Sequence, residues 1–267
     1  MDIQRSLAWR NMRSRDAWLI SLVDCTQADG QVGPAPFVYA TTRIMHSMEQ
    51  WLLELARRTL ESEGGNDAAH DLAHVARTMV IAKRIHDREG GDLPTLLAAV
   101  ALHDIGQERE KTTGVDHALL GAEMARDLLA DTSFPTAAIP GVQQAIREHR
   151  TTGTSVPATL EGRILFDADK IDSLGAVGIA RLYCITGMNG QRVYAPVPAT
   201  VEQPVSSQKL KEMRKRQDYS SSIEFELLLA DLPDKFLTPT GRAMALERHE
   251  YMRIFFDRLR REVEGQV

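Results

Sequence analysis

The chain has 267 residues, 43% of them hydrophobic and only 6% aromatic, with 32 basic against 37 acidic side chains and a formal net charge of −5. That is material for one large core without a second domain, and the slight acidity gives no reason to expect nucleic acid as a partner. No apolar stretch reaches the length of a membrane span, and two cysteines, Cys25 and Cys184, are too few for a disulfide framework, which points to a reducing cytoplasm.

At the N-terminus Arg5, Arg10, Arg13 and Arg15 precede a short apolar run from Ala17 to Val23. No small-x-small cleavage site follows, so export is not expected. The Gly and Pro residues between Gly30 and Pro36 read as a turn or linker. They set apart residues 1–40 as a helical extension, packed on the core or on a second subunit of a homo-oligomer, from a main domain over 41–267. Within that domain the pattern predicts helices near 42–62, 70–89, 93–107, 116–131, 139–150, 158–187, 206–231 and 240–263. No sustained strand alternation occurs, so the fold class is all-α.

Three of these segments carry acids and histidines on apolar faces. His74, Thr78, Ile81 and Ile85 share one face of the second segment. In the third, a start at Asp92 and Pro94 leads into a stripe of Leu93, Leu96, Leu97 and Val100 that runs on to Asp104, so His103 and Asp104 emerge at the end of a buried helix face. Later, Asp169, Asp172 and Ala176 fall on a common face. Taken singly, each histidine would be a hydrogen-bonded core residue and each aspartate a helix cap. Taken together, on faces where an unpaired charge is costly, they point to a cation held between three converging helices. Mixed imidazole and carboxylate donors suit Mn, Fe, Zn or Mg, and a metal so held would generate hydroxide from water near neutral pH.

The order of these residues is itself informative: His74 and Arg77 in His-Val-Ala-Arg, then His103-Asp104 in His-Asp-Ile-Gly-Gln, then Asp169 in Asp-Ala-Asp-Lys-Ile-Asp. In that order and kind the chain resembles the HD superfamily of metal-dependent phosphohydrolases. The run from Thr238 through Pro239, Thr240, Gly241 and Arg242 to Met252 is similar to the tail of the short bacterial HD hydrolases that include nucleotide pyrophosphohydrolases, so the resemblance covers roughly residues 45–264. It implies an HD-domain helical bundle with its metal site at the convergence of core helices. His74, His103, Asp104 and Asp169 would hold a divalent ion, and activated water would attack the phosphorus of a nucleotide, such as a triphosphate cleaved to monophosphate and pyrophosphate.

The resemblance reaches further residues. His117 opens His-Ala-Leu-Leu-Gly and His149 stands alone in Ile-Arg-Glu-His-Arg. In two-metal relatives such as the HD-GYP phosphodiesterases, such histidines serve a second ion, and in single-metal relatives they grip phosphate; one ion or two is left open. Lys170 is placed to hold a phosphate and Asp172 to orient water or a ligand. Some HD nucleotidases carry an acid three positions after the His-Asp pair, where this chain has Gln107. Glu108, with Glu110 close behind, is therefore the candidate for acid or base work. Two other readings stay open: an HD-type di-iron oxygenase using His74, His103, Asp104, His117, His149 and Asp169, and a regulatory HD module without catalysis.

Other features have ordinary readings. His46, His86 and His249 are expected in structural or surface roles, and His70 near a helix start as a cap or a support for the site. The stretch from Met188 to Pro204 is too broken by Asn189, Gly190, Pro196 and Pro198 for a helix, and long enough for a lid. Lys209, Lys211, Arg214, Lys215 and Arg216 form either a solvated face or an attractor of polyphosphate. Met252, Phe255, Phe256 and Leu259 read as core.

Overall fold

A computed structural model describes residues 35–64, 71–150, 156–201 and 205–267. The apolar run from Ala17 to Val23, Cys25, His70 and all of the N-terminal extension but residues 35–40 lie outside the described residues.

Asp92 accepts a hydrogen bond from the Thr95 amide and Pro94 occupies the first turn, so helix α3 (Leu93–Leu102) begins where the sequence predicts. Every residue from Thr95 to Leu102 is buried. A helix apolar on all sides must be enclosed, and α3 is, by α1 (Ala35–Glu63), α2 (Leu72–Glu89), α6 (Ile139–Glu148) and α7 (Leu160–Ile171). Between α3 and α6 come α4 (Gln107–Thr113) and α5 (His117–Ala130). After α7 come α8 (Gly175–Met188), α9 (Ser207–Met213), α10 (Ser221–Glu224), a π-helical turn at Phe225–Leu229 and α11 (Pro239–Val263). Leu52, Met79, Ile85, Ile146, Ile164 and Leu165 fill the core around α3. The described residues form helices and no strand beyond one isolated bridge, Arg192 to Ser220, and none of these helices is long and apolar enough to cross a membrane.

Three predicted segments are corrected. The one over 93–107 ends at Leu102, because His103 to Gly106 form a turn against which α5 is pressed: a Cβ on Gly106 would stand 2.4 Å from the His117 carbonyl oxygen and 2.7 Å from the Gly121 nitrogen. The segment over 158–187 is two helices, parted by a turn that closes with the Leu174 amide on the Ile171 carbonyl at 3.0 Å and with Gly175 at φ 73°. Ala176 therefore stands on a different helix from Asp169. The segment over 206–231 is broken between α9 and α10, where the Ser220 side chain caps the new start at Ile223.

The tail motif is a clamp. Thr238 caps α11 through the Gly241 amide, and the fully buried Asp167 accepts from the Leu237 amide, the Thr238 amide and the Thr238 hydroxyl at 2.7–2.9 Å. Met252 and Phe256 are buried as expected of that helix, with Phe255 and Leu259 packed against the same core. A second, smaller apolar cluster of Ala195, Leu210, Met213, Tyr219 and Ile223 sits apart from it. It anchors the described part of the stretch expected to be a lid: the Ala195 amide and carbonyl are both bonded to the Ser220 and Ser222 hydroxyls.

Candidate metal centre

His74 leaves the first turn of α2, whose start is capped by Asp71. His103 and Asp104 lie in the turn that ends α3, His117 is the first residue of α5, His149 follows α6 and Asp169 sits in the last turn of α7. The four histidines and Asp104 are buried, and Asp169 has 16% of its side chain exposed. Four helix ends and the turn after α3 thus deliver six side chains to one place.

They fall into two groups of possible ligands, His74, His103 and Asp169 in one, and Asp104, His117 and His149 in the other. Asp104 faces both. Its Oδ2 lies 3.3 Å from His103 Nε2 and 3.7 Å from His74 Nε2, while its Oδ1 lies 3.4 Å from His117 Nε2 and 3.7 Å from His149 Nε2. Asp169 Oδ1 closes the first group at 3.4 Å from His74 and 3.9 Å from His103.

Each imidazole is oriented through its other nitrogen. Nδ1 of His103 donates to the Val100 carbonyl at 2.8 Å and Nδ1 of His149 to the Ile146 carbonyl at 2.6 Å. Nδ1 of His74 donates to Asp172 at 2.8 Å and Nδ1 of His117 to Glu110 at 2.5 Å. A carbonyl or an ionised carboxylate brings no proton, so the partners assign the proton of each neutral ring to Nδ1. Four Nε2 lone pairs are then turned inward, with those of His74 and His103 only 3.3 Å apart and those of His117 and His149 3.4 Å apart. Donors about 2.1 Å from a common ion are separated by roughly 3.0 Å at right angles and 3.4 Å in a tetrahedron. The donor set fits a divalent cation in each group.

The electrostatics agree. Burial alone would push His74 down, but hydrogen bonds to Asp169 and Asp172 override it and hold its pKa at about 9. In His103 burial is likewise overridden, first by the charge of Asp104, whereas burial lowers His149. Burial would raise both carboxylates; His103 and His149 instead hold Asp104 well below the usual range, and Lys170 and His74 do so for Asp169. Both carboxylates are therefore held in the ionised form that can ligate a cation.

An HD domain model matches residues 71–174, the segment that brings all six residues together. A predicted HD superfamily hydrolase from an uncultured Thermotogales bacterium, known from its crystal structure, is 31% identical and covers 80% of this chain and 91% of its own at a TM-score of 0.55. The chain belongs to the HD superfamily. Among curated proteins, YpgQ of Bacillus subtilis strain 168 is 27% identical over 202 residues, 74% of this chain and 86% of YpgQ. The structure of Bacillus subtilis YpgQ in complex with ADP shares the fold at 23% identity, covering 82% of this chain and 96% of its own at a TM-score of 0.60.

The remaining candidates separate. Lys170 lies at the cluster, its Nζ 2.5 Å from Asp169 Oδ2 and 5.5 Å above the Phe166 ring. Asp172 stands behind His74, where its pKa is held at about 2 despite burial by bonds from His74 and Arg77. Glu108 pairs with Lys111 on its own helix at 2.6 Å, while Glu110 is the carboxylate that reaches a histidine. Arg150 bonds both Glu110 and Asp116, and Arg181 bonds Asp172. Sequence reasoning missed the roles of Glu110, Arg150 and Arg181, which carry no periodic or motif signal. His46 bonds Gln50 on the surface, His86 the Gly91 carbonyl, and His249 stacks on Phe225. Of the basic run, Arg214 pairs with Glu224 and Arg216 with Asp218.

Proposed function

We propose that the protein is a metal-dependent phosphohydrolase that cleaves a phosphoanhydride or phosphate ester of a nucleotide. The observation that carries this reading is Asp104, one buried carboxylate whose two oxygens each face two inward-turned imidazole nitrogens. His74, His103, Asp169 and Asp104 Oδ2 offer the stronger position, with two carboxylates to one ion. Asp104 Oδ1, His117 and His149 would offer a second, weaker position with a single carboxylate. A divalent cation such as Mn supplies Lewis acidity there, lowering the pKa of water and offsetting charge on phosphoryl oxygens. Asp172 and Glu110 keep His74 and His117 in register, and Lys170 turns from Asp169 to a substrate phosphate. The nucleotide rests on family membership and on the ADP bound by YpgQ.

The decisive experiment reloads metal-depleted protein with Mn, Fe, Mg or Zn and follows phosphate and pyrophosphate release over a nucleotide panel, beside elemental analysis of the protein as purified. Release from one nucleotide class with Mn is expected; a silent panel with metal bound would overturn the proposal. The six converging side chains also suit a di-iron oxygenase, which would instead show two irons per chain and an oxygen-dependent product.

Two outcomes follow for this site. Below about pH 9 the ion-free protein keeps a proton on His74. A cation must displace it, so apparent metal affinity should climb with pH up to that value, about tenfold per pH unit for each proton released. A competition titration against a chelator of known pH dependence reads this directly; a flat profile would take His74 out of the ligand set. For Lys170→Ala, loss of one charge-assisted hydrogen bond should cost about 1.5–3 kcal/mol of substrate binding, a KM higher by roughly ten- to a hundredfold. Metal content should hold, because an ammonium cannot ligate a cation. Unchanged Michaelis parameters would remove Lys170 from the mechanism.

A further inference from the structure

His117 and His149 reach the cluster from different elements, the start of α5 and the residue after α6, yet their Nε2 atoms stand 3.4 Å apart. Each ring is steered from its own side. The Ile146 carbonyl fixes His149 to α6, and Glu110 of α4 fixes His117, its Oε2 accepting from the His117 amide at 3.2 Å as well as from the ring. Neither bond ties one imidazole to the other.

Arg150 makes that tie. It follows His149 directly in the chain, and its Nη1 donates to Glu110 Oε1 at 3.3 Å and to Asp116 Oδ2 at 2.8 Å. Glu110 is the carboxylate behind the His117 ring, and Asp116, one position before His117, caps α5 by accepting from the Ala118 amide through Oδ1 at 2.8 Å. One guanidinium beside His149 thus grips both the support of the His117 ring and the start of the helix that His117 opens. Further along the same helix pair Gln143 donates to the Ala122 carbonyl and Arg147 pairs with Glu123, so α5 and α6 have other ties, and what Arg150 adds is local to the two histidines. The first group is held by other bonds, His103 by the Val100 carbonyl and His74 by Asp172. We propose, on the reading of the cluster as a metal centre, that Arg150 is the positioning residue of the second cation position and holds His117 and His149 at the spacing one ion needs. Two donors on separate elements must meet one ion there, so lost register between them costs affinity at that position and not at the other.

The test titrates the metal-depleted full chain with Mn and counts bound ions by the loss of the free-ion signal in electron paramagnetic resonance. Wild type is expected to take up two ions, the second more weakly. Arg150→Ala should weaken the second by about ten- to a hundredfold and leave the first within about threefold. Arg150→Lys, which keeps the charge without the planar fork, should fall between wild type and Arg150→Ala. The Arg150 side chain is 26% exposed, and Arg150→Gln, which loses the charge but keeps a polar arm, carries the same comparison if Arg150→Ala does not fold. The proposal is overturned if wild type binds a single ion, if both ions weaken together in Arg150→Ala, if the second is unaffected, or if Arg150→Lys restores nothing. A silent nucleotide panel from protein that holds two ions and shows the selective loss would remove the hydrolase reading and leave Arg150 in this role.

Discussion

Asp104→Ala is expected to abolish activity and to strip bound metal while leaving the helical content close to that of the wild type. The two oxygens of the carboxylate face the two groups of histidines, and it stands in the turn after α3, outside the apolar packing of Leu96, Leu97 and Leu102. Removing it deletes one oxygen from each proposed cation position and a negative charge beside the buried imidazoles. Loss of a supporting group behind a ligand typically costs about ten- to a hundredfold in metal affinity, and loss of a shared ligand should exceed about a hundredfold. Elemental analysis, phosphate or pyrophosphate release and far-ultraviolet circular dichroism on one preparation check all three parts. Full activity would sink the site; collapse of the helical signal would make Asp104 a structural residue instead.

The second large effect is predicted at Asp172. Its side chain is 1% exposed and accepts from Arg77 Nε, Arg181 Nη1 and His74 Nδ1, each at 2.8 Å. Asp172→Ala takes the acceptor away from a guanidinium that is 15% exposed and from a buried imidazole, a change of the kind that costs about 3–5 kcal/mol. Arg77, with 34% of its side chain exposed, can turn to water, which favours the lower end of about 3 kcal/mol. The Asp172 pKa is depressed from 3.8 to about 2 on folding, so its contribution is complete above 3.8 and is lost as the pH falls through about 2. The gap in denaturation midpoint between wild type and variant should therefore be wide at neutral pH and close in strong acid. Metal affinity should fall about ten- to a hundredfold as His74 loses its orienting partner. Asp172→Asn, which keeps the shape and one acceptor but loses the charge, should recover only part of the stability and of the affinity. Equal midpoints for wild type and Asp172→Ala at neutral pH would contradict the buried network.

What the chain states locally is its helices and the kinds of donor they carry. Asp92 and Pro94 start α3 and its apolar run makes it central; Thr238 starts α11, whose Met252 and Phe256 are buried. His74 with Thr78, Ile81 and Ile85 is legible because a helix repeats on itself every few residues, and the order His74, His103-Asp104, Asp169 is legible because the residue types are rare on apolar faces. Packing decided the rest. That His117 and His149 meet Asp104 depends on α5 closing against Gly106, and the supporting bonds join His74 to Asp172, 98 positions away, and His117 to Glu110 across the α4–α5 turn. The break after Ile171, which separates Asp172 from Ala176, likewise comes from a local turn with Gly175 at positive φ and not from any change of hydrophobic period. Periodicity fixes which way a side chain leaves its own helix; which helix end it meets is set by how the helices close around α3, and that is a property of the packed core.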